Sequence, residues 1–176
     1  MKSFGLIIVA FLILGIFSGC YATITGSVVD AETGQPIEGA VVFVEWTVTK
    51  GLGLTYHEVY KIIEVATDKN GRFTISGTYN PLVDPPDILI YKAGYAAWNN
   101  KFIFPNYEKR TDFKWHKGYV FKLELFKDTY SFIEHQAFIE GTAPHATKAE
   151  NQLLLKAYEE WEREKVIKER QRKGVK

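Results

Sequence analysis

The residues best suited to acid–base or metal chemistry are the four histidines, His57, His116, His135 and His145. None of them belongs to a His-Glu-x-x-His, His-x-x-Glu or His-x-His pattern, the spacings that bring two ligands to one zinc ion. In an extended strand, the adjacent pairs His57-Glu58 and Glu134-His135 would point to opposite faces. The histidines are therefore predicted to occupy ordinary surface or core positions, with no metal site.

Two further chemical motifs, a serine-hydrolase elbow and a calcium loop, are both incomplete. No Gly-x-Ser-x-Gly sequence occurs. The stretch DKNG, residues 68–71, resembles the start of a calcium loop, but the remaining acidic ligands and the terminal Glu are missing. We therefore expect no catalytic residues and no cofactor, and we predict that the protein is not an enzyme.

The single cysteine, Cys20, lies at the end of an apolar segment. Lys2 is followed by fourteen apolar or glycine residues, 4–17. A membrane-spanning helix needs about 20 apolar residues, whereas the apolar region of a signal peptide has about 7–15. The sequence Phe17-Ser18-Gly19-Cys20 resembles the lipobox of bacterial lipoproteins, with Phe17 in a place where that family usually has Leu, Val or Ile.

The lipobox resemblance implies a lipid anchor. In that family the cysteine thiol receives a diacylglycerol, and cleavage leaves the cysteine as the first residue. The resemblance predicts a lipoprotein signal peptide over residues 1–19, a lipidated N-terminus over 20–22, and attachment to a membrane of the bacterial cell envelope, facing the periplasm or the exterior. An ordinary secretory signal cut after Ala22 and an uncleaved anchor remain open as alternatives.

The overall composition excludes two classes of protein. Hydrophobic residues make up 46% of the chain, and 22 basic side chains balance 21 acidic ones. This composition argues against a disordered chain and against a nucleic-acid binder that relies on net charge. The length of 176 residues suits one domain with additional segments.

After the leader, the pattern changes to short strands separated by turn residues. Strands are predicted over residues 24–30, 40–46, 58–67, 73–76, 87–91 and 119–126. The second of these is apolar on both faces, which is typical of a central strand. In the last, Phe121, Leu123 and Leu125 alternate with Lys122 and Glu124. Such spacing predicts an all-β sandwich.

One series of residues in this region closely resembles the carboxypeptidase regulatory-like domain. It reads Gly26-x-Val28-x-Asp30-x-x-Thr33-Gly34-x-Pro36-Ile37-x-Gly39-Ala40-x-Val42. The later stretches TDKNGRFTISG and ILIYKAGY look like the second hairpin and the following corner of that family. The resemblance covers residues 23–127 and implies a seven-stranded transthyretin-like (prealbumin-like) β-sandwich that serves as an accessory or binding module.

Six residues of this resemblance are predicted to be structural, because they shape turns. Proline fixes φ, and glycine accepts positive φ. Asn-Gly favours a tight hairpin turn. The six are Asp30, Gly34, Pro36, Gly39, Asn70 and Gly71.

The C-terminal part lies beyond the resemblance. Residues 128–146 are predicted to form a linker or a small annex. Thr147 and Glu150 have the spacing of a capping box, which predicts a charged helix over residues 147–173. Its first turns carry apolar residues at helical spacing, so one face can pack. From Glu162 onward, charge dominates, which predicts a solvated helix end.

One segment, residues 98–119, is enriched in aromatic and basic side chains. It holds seven aromatic residues in 22 positions. Aromatic faces beside cations suit sugars, lipid headgroups or protein hot spots. The alternative is an insertion that packs over the sandwich. The predicted binding surface consists of Trp98, Phe102, Tyr107, Lys114 and Trp115.

Taken together, the sequence predicts a non-catalytic lipoprotein that acts as a binding or scaffold module. Its expected partners are a membrane, reached through the N-terminal lipid, and an envelope protein or glycan, but not nucleic acid. Two alternatives remain. The chain could be a subunit of an envelope transport or secretion assembly that docks through its C-terminal helix, or it could be a transthyretin-like hydrolase.

Overall fold

The computed structural model describes residues 21–174. The predicted signal peptide, residues 1–19, and the predicted lipidation site, Cys20, lie outside the described residues. Within residues 21–174, no helix is long and apolar enough to cross a membrane.

Strands precede helices along the described chain. The strands are β1 (Tyr21–Asp30), β2 (Val41–Lys50), β3 (Tyr56–Ala66), β4 (Arg72–Thr78), β5 (Asp87–Tyr91), β6 (Trp98–Asn99), β7 (Phe102–Ile103), β8 (Glu108–Lys109) and β9 (Tyr119–Leu123). The helices are α1 (Phe132–Thr142), α2 (Leu153–Trp161) and α3 (Arg163–Lys173), with a 3-10 turn at Ala146–Lys148. The six predicted strands correspond to β1–β5 and β9. The two-residue strands β6, β7 and β8 are too short to show a periodicity.

Two sheets form a β-sandwich, so the coarse prediction of a mostly β protein is confirmed. A three-stranded sheet has the order β4-β1-β9, and a four-stranded sheet has the order β3-β2-β5-β6. In the first sheet, β1 pairs antiparallel with β4 and parallel with β9. The core between the sheets includes the fully buried Val28, Val44, Trp46, Ile90 and Phe121.

The outer face of the four-stranded sheet forms a second core with the helices. Val41 and Phe43 of β2 and Leu89 and Tyr91 of β5 point to this side, and they pack in one cluster with Phe138 of α1. Both faces of strand β2 are therefore covered. This agrees with its sequence, whose apolar residues on both faces predict a central strand. We call residues 128–174 the helical annex, since they form a third layer on this sheet.

The helical annex differs from the sequence prediction in its boundaries. Helix α1 lies inside the segment predicted as a linker or small annex, and the predicted helix over 147–173 is two helices that begin only at Leu153. The capping box at Thr147 does not start a helix, because that residue lies in the 3-10 turn. Instead, Glu64 of β3 accepts hydrogen bonds from the backbone amides of Leu153 and Leu154, at 2.8 and 3.1 Å. A carboxylate from the sheet thus caps α2.

A second carboxylate caps α1. Glu169 of α3 accepts hydrogen bonds from the Ser131 hydroxyl and the Phe132 amide, both at 2.7 Å. Burial raises the pKa of Glu169, but the hydrogen bonds from Lys173, Ser131 and the α1 amides outweigh it and lower the pKa to about 2. The prediction of a solvated helix end is therefore wrong at Glu169, because its side chain is buried.

The turn between β1 and β2 is organised by Asp30. Its Oδ1 accepts hydrogen bonds from the backbone amides of Glu32 and Thr33, at 3.0 and 2.7 Å, and from the Thr33 hydroxyl. The Thr33 amide, opposed by burial, lowers the pKa of this carboxyl below its ordinary value. Gly34 and Gly39 in the same loop have φ of 69° and 66°, and Pro36 pairs with Val29 in an isolated bridge. These residues occupy structural positions.

The β3–β4 turn uses Gly71 rather than Asn70 for positive φ. Gly71 has φ of 70°, and a Cβ there would lie 2.4 Å from the carbonyl oxygen of Val28. Asn70 does not have positive φ, in contrast to the hairpin expected from the sequence. The turn closes through Asp68 instead, whose Oδ1 accepts hydrogen bonds from the amides of Asn70 and Arg72 at 2.8 Å.

Candidate functional site: a cleft at the free edge of the sandwich

A cleft of about 490 Å³ lies along one edge of the sandwich. Strands β9 and β6 are the last strands of their sheets, and they meet there through Trp98 and Phe121, whose ring centroids are 4.8 Å apart. The small β7–β8 hairpin and the start of the annex complete the walls. The lining residues used below are Trp98, Arg110, Tyr119, Val120, Lys122 and Glu124.

Arg110 is the most firmly held charged group in this edge cleft. Its Nε donates a hydrogen bond to the carbonyl oxygen of Asn99 at 2.7 Å, and its guanidinium stacks 4.6 Å from the Trp98 ring centroid. Nη1 lies 3.3 Å from Oδ1 of Asp112. The side chain is only 12% exposed. A cation fixed on an aromatic face therefore forms one wall of the cleft.

The opposite wall belongs to β9. Lys122 and Glu124 alternate with the buried Phe121 and Leu123, so both charged side chains lie on the exposed side of the strand. Val120 is 46% exposed beside them. The cleft consequently combines fixed and solvent-facing charges of both signs with aromatic and aliphatic surface.

Trp98 lies at the base of the cleft and mainly serves packing. It is buried, and it makes edge-to-face contacts with Phe121 and with Phe113, whose centroid lies 5.3 Å away. Trp115 is partly buried and packs against the same core. Trp98, which the sequence predicts as part of a binding surface, is thus mostly buried, and only a small part of its ring faces the cleft.

Trp115 and the other three predicted binding residues lie outside the cleft lining. Phe102 and Tyr107 belong to the β7–β8 hairpin, are 38% and 43% exposed, and have ring centroids 6.2 Å apart. Tyr107 also contacts Phe138 of α1, with centroids 5.1 Å apart. Lys114 is exposed on the loop before β9. Of the five predicted residues, only Trp98 thus lines the cleft.

The sequence pattern did contain the signal for the β9 wall. The alternation in residues 119–126 separates Lys122 and Glu124 from the buried side chains, and the structure places both at the cleft. Leu125 departs from the predicted alternation, since it is 46% exposed after the strand has ended. This face of β9 borders a cleft only because β6 and the β7–β8 hairpin form the other side. The sequences of these short strands do not predict them.

The His135–Glu162 pair has the composition of a catalytic dyad but not its accessibility. Nδ1 of His135 lies 2.6 Å from Oε1 of Glu162, and both side chains are fully buried. The backbone amide of Ala97 donates to Nε2 at 2.8 Å, so Nδ1 carries the proton and donates to Glu162. Both ring nitrogens are therefore occupied, and neither can take a proton from a substrate.

A tyrosine completes this buried group. Burial, followed by the charge of Glu162, raises the pKa of the Tyr91 hydroxyl. The phenol therefore stays protonated beside the carboxylate. Tyr91 belongs to β5, His135 to α1, and Glu162 joins α2 and α3, so the group connects the sheet to the annex.

The remaining three histidines lie at separate places, and His116 is exposed on the loop before β9. His145 Nδ1 lies 2.8 Å from Oε1 of the buried Glu45 of β2. His57 is 3.5 Å from Asp84 at the end of the β2–β3 hairpin. Across residues 21–174, no group of three or more His, Cys, Asp and Glu side chains could hold a metal ion.

A second concave surface lies on the annex itself. It is a groove of about 390 Å³ between the helices, with Ile139, Leu154, Leu155, Tyr158, Val166 and Ile167 among its lining residues. Burial, and then the charges of Glu162 and Glu140, raise the pKa of Tyr158 to about 12. We call this surface the helix groove.

No protein-family model matches the chain, and no curated protein matches it significantly.

Proposed function

We propose that this chain is a lipid-anchored protein of the bacterial envelope whose transthyretin-like sandwich binds an envelope protein or glycan without catalysing a reaction. The observation that carries the proposal is the edge cleft, the largest concavity described above. The lipid anchor rests on the lipobox resemblance at Cys20, and the module assignment rests on the carboxypeptidase regulatory-like pattern from Gly26 to Val42.

Two structural facts support the module assignment. The three-stranded and four-stranded sheets agree with the sandwich that the resemblance implies. Asp30 and Gly71, which belong to the quoted pattern and to its second hairpin, organise two turns through side-chain hydrogen bonds and positive φ. Residues that the resemblance assigns to turns therefore act in turns.

The chemistry of the cleft suits an extended polar ligand. Arg110 and Lys122 can donate hydrogen bonds, while Asp112 and Glu124 can accept them, and all four lie within one lining. The Trp98 edge and Tyr119 add aromatic surface. A sugar chain or a peptide presents both hydrogen-bonding groups and apolar patches, which is the combination that such a lining recognises.

The arrangement of the histidines argues against the hydrolase alternative. That function needs His and Arg side chains that converge on one accessible point. Here His57, His135 and His145 pair with three different carboxylates, two of them buried. Arg110, meanwhile, stacks on Trp98.

The lipid anchor is tested at Cys20. Cys20→Ser replaces the nucleophile for lipid transfer by one atom, so the variant should be soluble or unprocessed. A clickable fatty-acid analogue fed to the cells should label the wild-type chain and leave the variant unlabelled. Equal labelling of the two proteins would contradict the anchor.

The cleft is tested by site-specific photocrosslinking in intact cells. A photoreactive residue at Val120 should give adducts, whereas one at the exposed Lys69, on the β3–β4 turn, should give none. Lys122→Glu, which reverses a charge of the lining, should weaken the adducts. If the ligand is a glycan, the purified protein should bind soluble cell-wall fragments, and Lys122→Glu should weaken that binding too. Identical adducts from both positions, with no effect of the charge reversal, would rule out the cleft.

The helix groove favours a second candidate, docking into a larger envelope assembly. Its walls are largely apolar, and Ile167 is 46% exposed there. A photoreactive residue at Ile167 should then give a protein adduct. Ile167→Glu should abolish co-purification with that protein, while Lys168→Glu on the exposed side of α3 should preserve it. Loss of co-purification in both variants would point to a general charge effect.

A further inference from the structure

Five chain segments meet at the end of the sandwich where the described structure begins. Tyr21, the first residue of β1, pairs with Thr78, the last residue of β4. Strand β5 starts after the loop that follows β4, and Val83 of that loop bridges to Val48 near the end of β2. The tip of the β2–β3 hairpin therefore lies at the same end. We call this the Tyr21 end.

The Tyr21 end carries the most exposed apolar side chains of the described chain. Leu52 and Leu54, in the hairpin tip, are 104% and 92% exposed. Leu82, in the loop between β4 and β5, is 74% exposed, and Tyr79 in the same loop is 72% exposed. Isolated exposed leucines need no explanation, but two adjoining loops that both present them form a patch.

The opposite end of the sandwich has a different character. The loops between β1 and β2 and between β3 and β4 expose Glu32, Glu38, Asp68 and Lys69. None of the large exposed hydrophobic side chains lies in these two loops. The apolar patch is therefore a property of the Tyr21 end and not of the loops in general.

The chain itself indicates what this patch faces. Cys20 is joined directly to Tyr21 by one peptide bond. The apolar residues 4–17 precede it. Any lipid carried by Cys20, or any membrane segment before it, would leave the chain at the same end that exposes Leu52, Leu54 and Leu82.

We propose that the Tyr21 end rests on a lipid bilayer, with Leu52, Leu54 and Leu82 inserted into the interfacial region. Tyr56 and Tyr79, which are 59% and 72% exposed, would lie at the headgroup level, where tyrosine is enriched. The inserted leucines orient the sandwich, because they add membrane contacts beside a single point of attachment.

The charges near the patch are compatible with this position. Lys50 forms an ion pair with Glu58, and Asp84 accepts a hydrogen bond from Thr49 at 2.9 Å. Lys114 and Lys117 are exposed on the loop that enters β9 from the same direction, since β9 runs parallel to β1. Their positive charges would favour anionic headgroups.

This inference rests on the proposed lipid anchor for delivery to the membrane, and the experiment separates the two. The full-length chain with Leu54→Cys, isolated from membranes, is labelled with an environment-sensitive fluorophore and reconstituted into phosphatidylethanolamine–phosphatidylglycerol vesicles that contain a nitroxide lipid. Lys69→Cys, at the opposite end, is the matched control, and the unsubstituted chain gives the background. The amount of dye bound per chain shows the state of Cys20. A lipidated Cys20 binds no dye, whereas a free Cys20 thiol binds one equivalent in addition to that at the introduced cysteine.

The fluorophore at residue 54 should shift to shorter wavelength and lose most of its emission to the nitroxide, while the one at residue 69 should be unaffected. In a Leu82→Cys chain, the double variant Leu52→Glu/Leu54→Glu should reduce quenching several-fold, whereas Val120→Glu should not. Protein that floats with the vesicles but shows equal quenching at residues 54 and 69 overturns the inference and leaves the anchor standing. An additional equivalent of dye together with quenching confined to residue 54 overturns the anchor and supports the inference. Protein that does not float with the vesicles contradicts both.

Discussion

At the scale of single residues, the buried carboxylates determine how the helical annex is held. Glu162 and His135 lie 2.6 Å apart with no exposure to solvent, and Glu64 and Glu169 each cap a helix from another element. A buried charge is tolerated only when partners satisfy it. Each of these glutamates is therefore stabilising only while its partner element is in place.

The first prediction concerns Glu162. Glu162→Ala should lower the free energy of unfolding by about 1–3 kcal/mol, because it leaves the buried Nδ1–H of His135 without an acceptor. Glu160→Ala, at an exposed position of α2, should change it by less than about 0.5 kcal/mol. Urea denaturation followed by tryptophan fluorescence measures both. Similar losses in the two variants would show that the pair does not hold the annex.

The second prediction concerns the pH dependence of Glu169. A carboxyl whose pKa falls from 4.5 when unfolded to about 2 when folded stabilises the protein above the higher value, and it loses that stabilisation as the pH drops through the lower one. Glu169→Gln should therefore cost about 1–3 kcal/mol at pH 7, from weakened hydrogen bonds to the charged group. The difference from wild type should shrink between pH 4.5 and 2.

The control for Glu169 lies on the same helix. Glu164 forms an exposed ion pair with Lys168, one turn apart, just as Glu169 does with Lys173. Glu164→Gln should have little effect at any pH, since exposed pairs contribute little. Thermal melts of both variants across the pH range would test this, and a constant difference for Glu169→Gln would contradict it.

At the scale of elements, the segment 98–119 contains both buried and exposed aromatic residues, and the sequence does not distinguish the two kinds. Trp98→Ala should lower the free energy of unfolding by about 3–5 kcal/mol, as expected for a large buried aromatic residue. Phe102→Ala, on the exposed hairpin, should cost much less. Denaturant melts measure the two side by side. A small loss at Trp98 would mean that this ring is not part of the core.

The elements that the sequence predicted correctly are those with a strong local signal. Strand β5 was predicted at its observed boundaries, residues 87–91, and β2 was identified as central from its two apolar faces. The start of α1 was missed although Ser131 and Glu134 have the spacing of a capping box, and the Ser131 hydroxyl accepts a hydrogen bond from the Glu134 amide at 3.3 Å. The start of α2 was missed because the group that caps it comes from a distant strand. Glu64 lies 89 residues before Leu153, and no local pattern reveals such a contact.

The candidate site was predictable only in part, for a similar reason. The alternation that exposes Lys122 and Glu124 is visible in the sequence, and the enrichment that includes Trp98 and Arg110 is visible as well. The cleft between them depends on the pairing of β5 with the two-residue strand β6, which brings Trp98 against Phe121. Aromatic enrichment alone does not distinguish a ring in the core from a ring on the surface.

At the scale of the whole molecule, we predict that folding requires no metal ion. This follows from the histidine spacing in the sequence, and the carboxylates that hold the annex bind protein groups. A chelator should therefore leave the midpoint of thermal unfolding of the full-length chain unchanged. A decrease of more than a few degrees would indicate a bound ion that stabilises the native state.

The carboxylates on the outer face of the four-stranded sheet also bear on the order of folding. Their partners lie far along the chain, since His145 comes 100 residues after Glu45. A folding intermediate with a complete sandwich and an undocked annex would expose Val41 and Phe43, with Glu45 next to Phe43 along β2 and Glu64 opposite Phe43 on β3. Charged groups within an exposed apolar sheet face oppose association with a second chain, so both glutamates would protect the intermediate from aggregation until the annex covers them. Their replacement by leucine would then lower the yield of refolding, in addition to the native stability that is lost with the cap of α2 and the partner of His145.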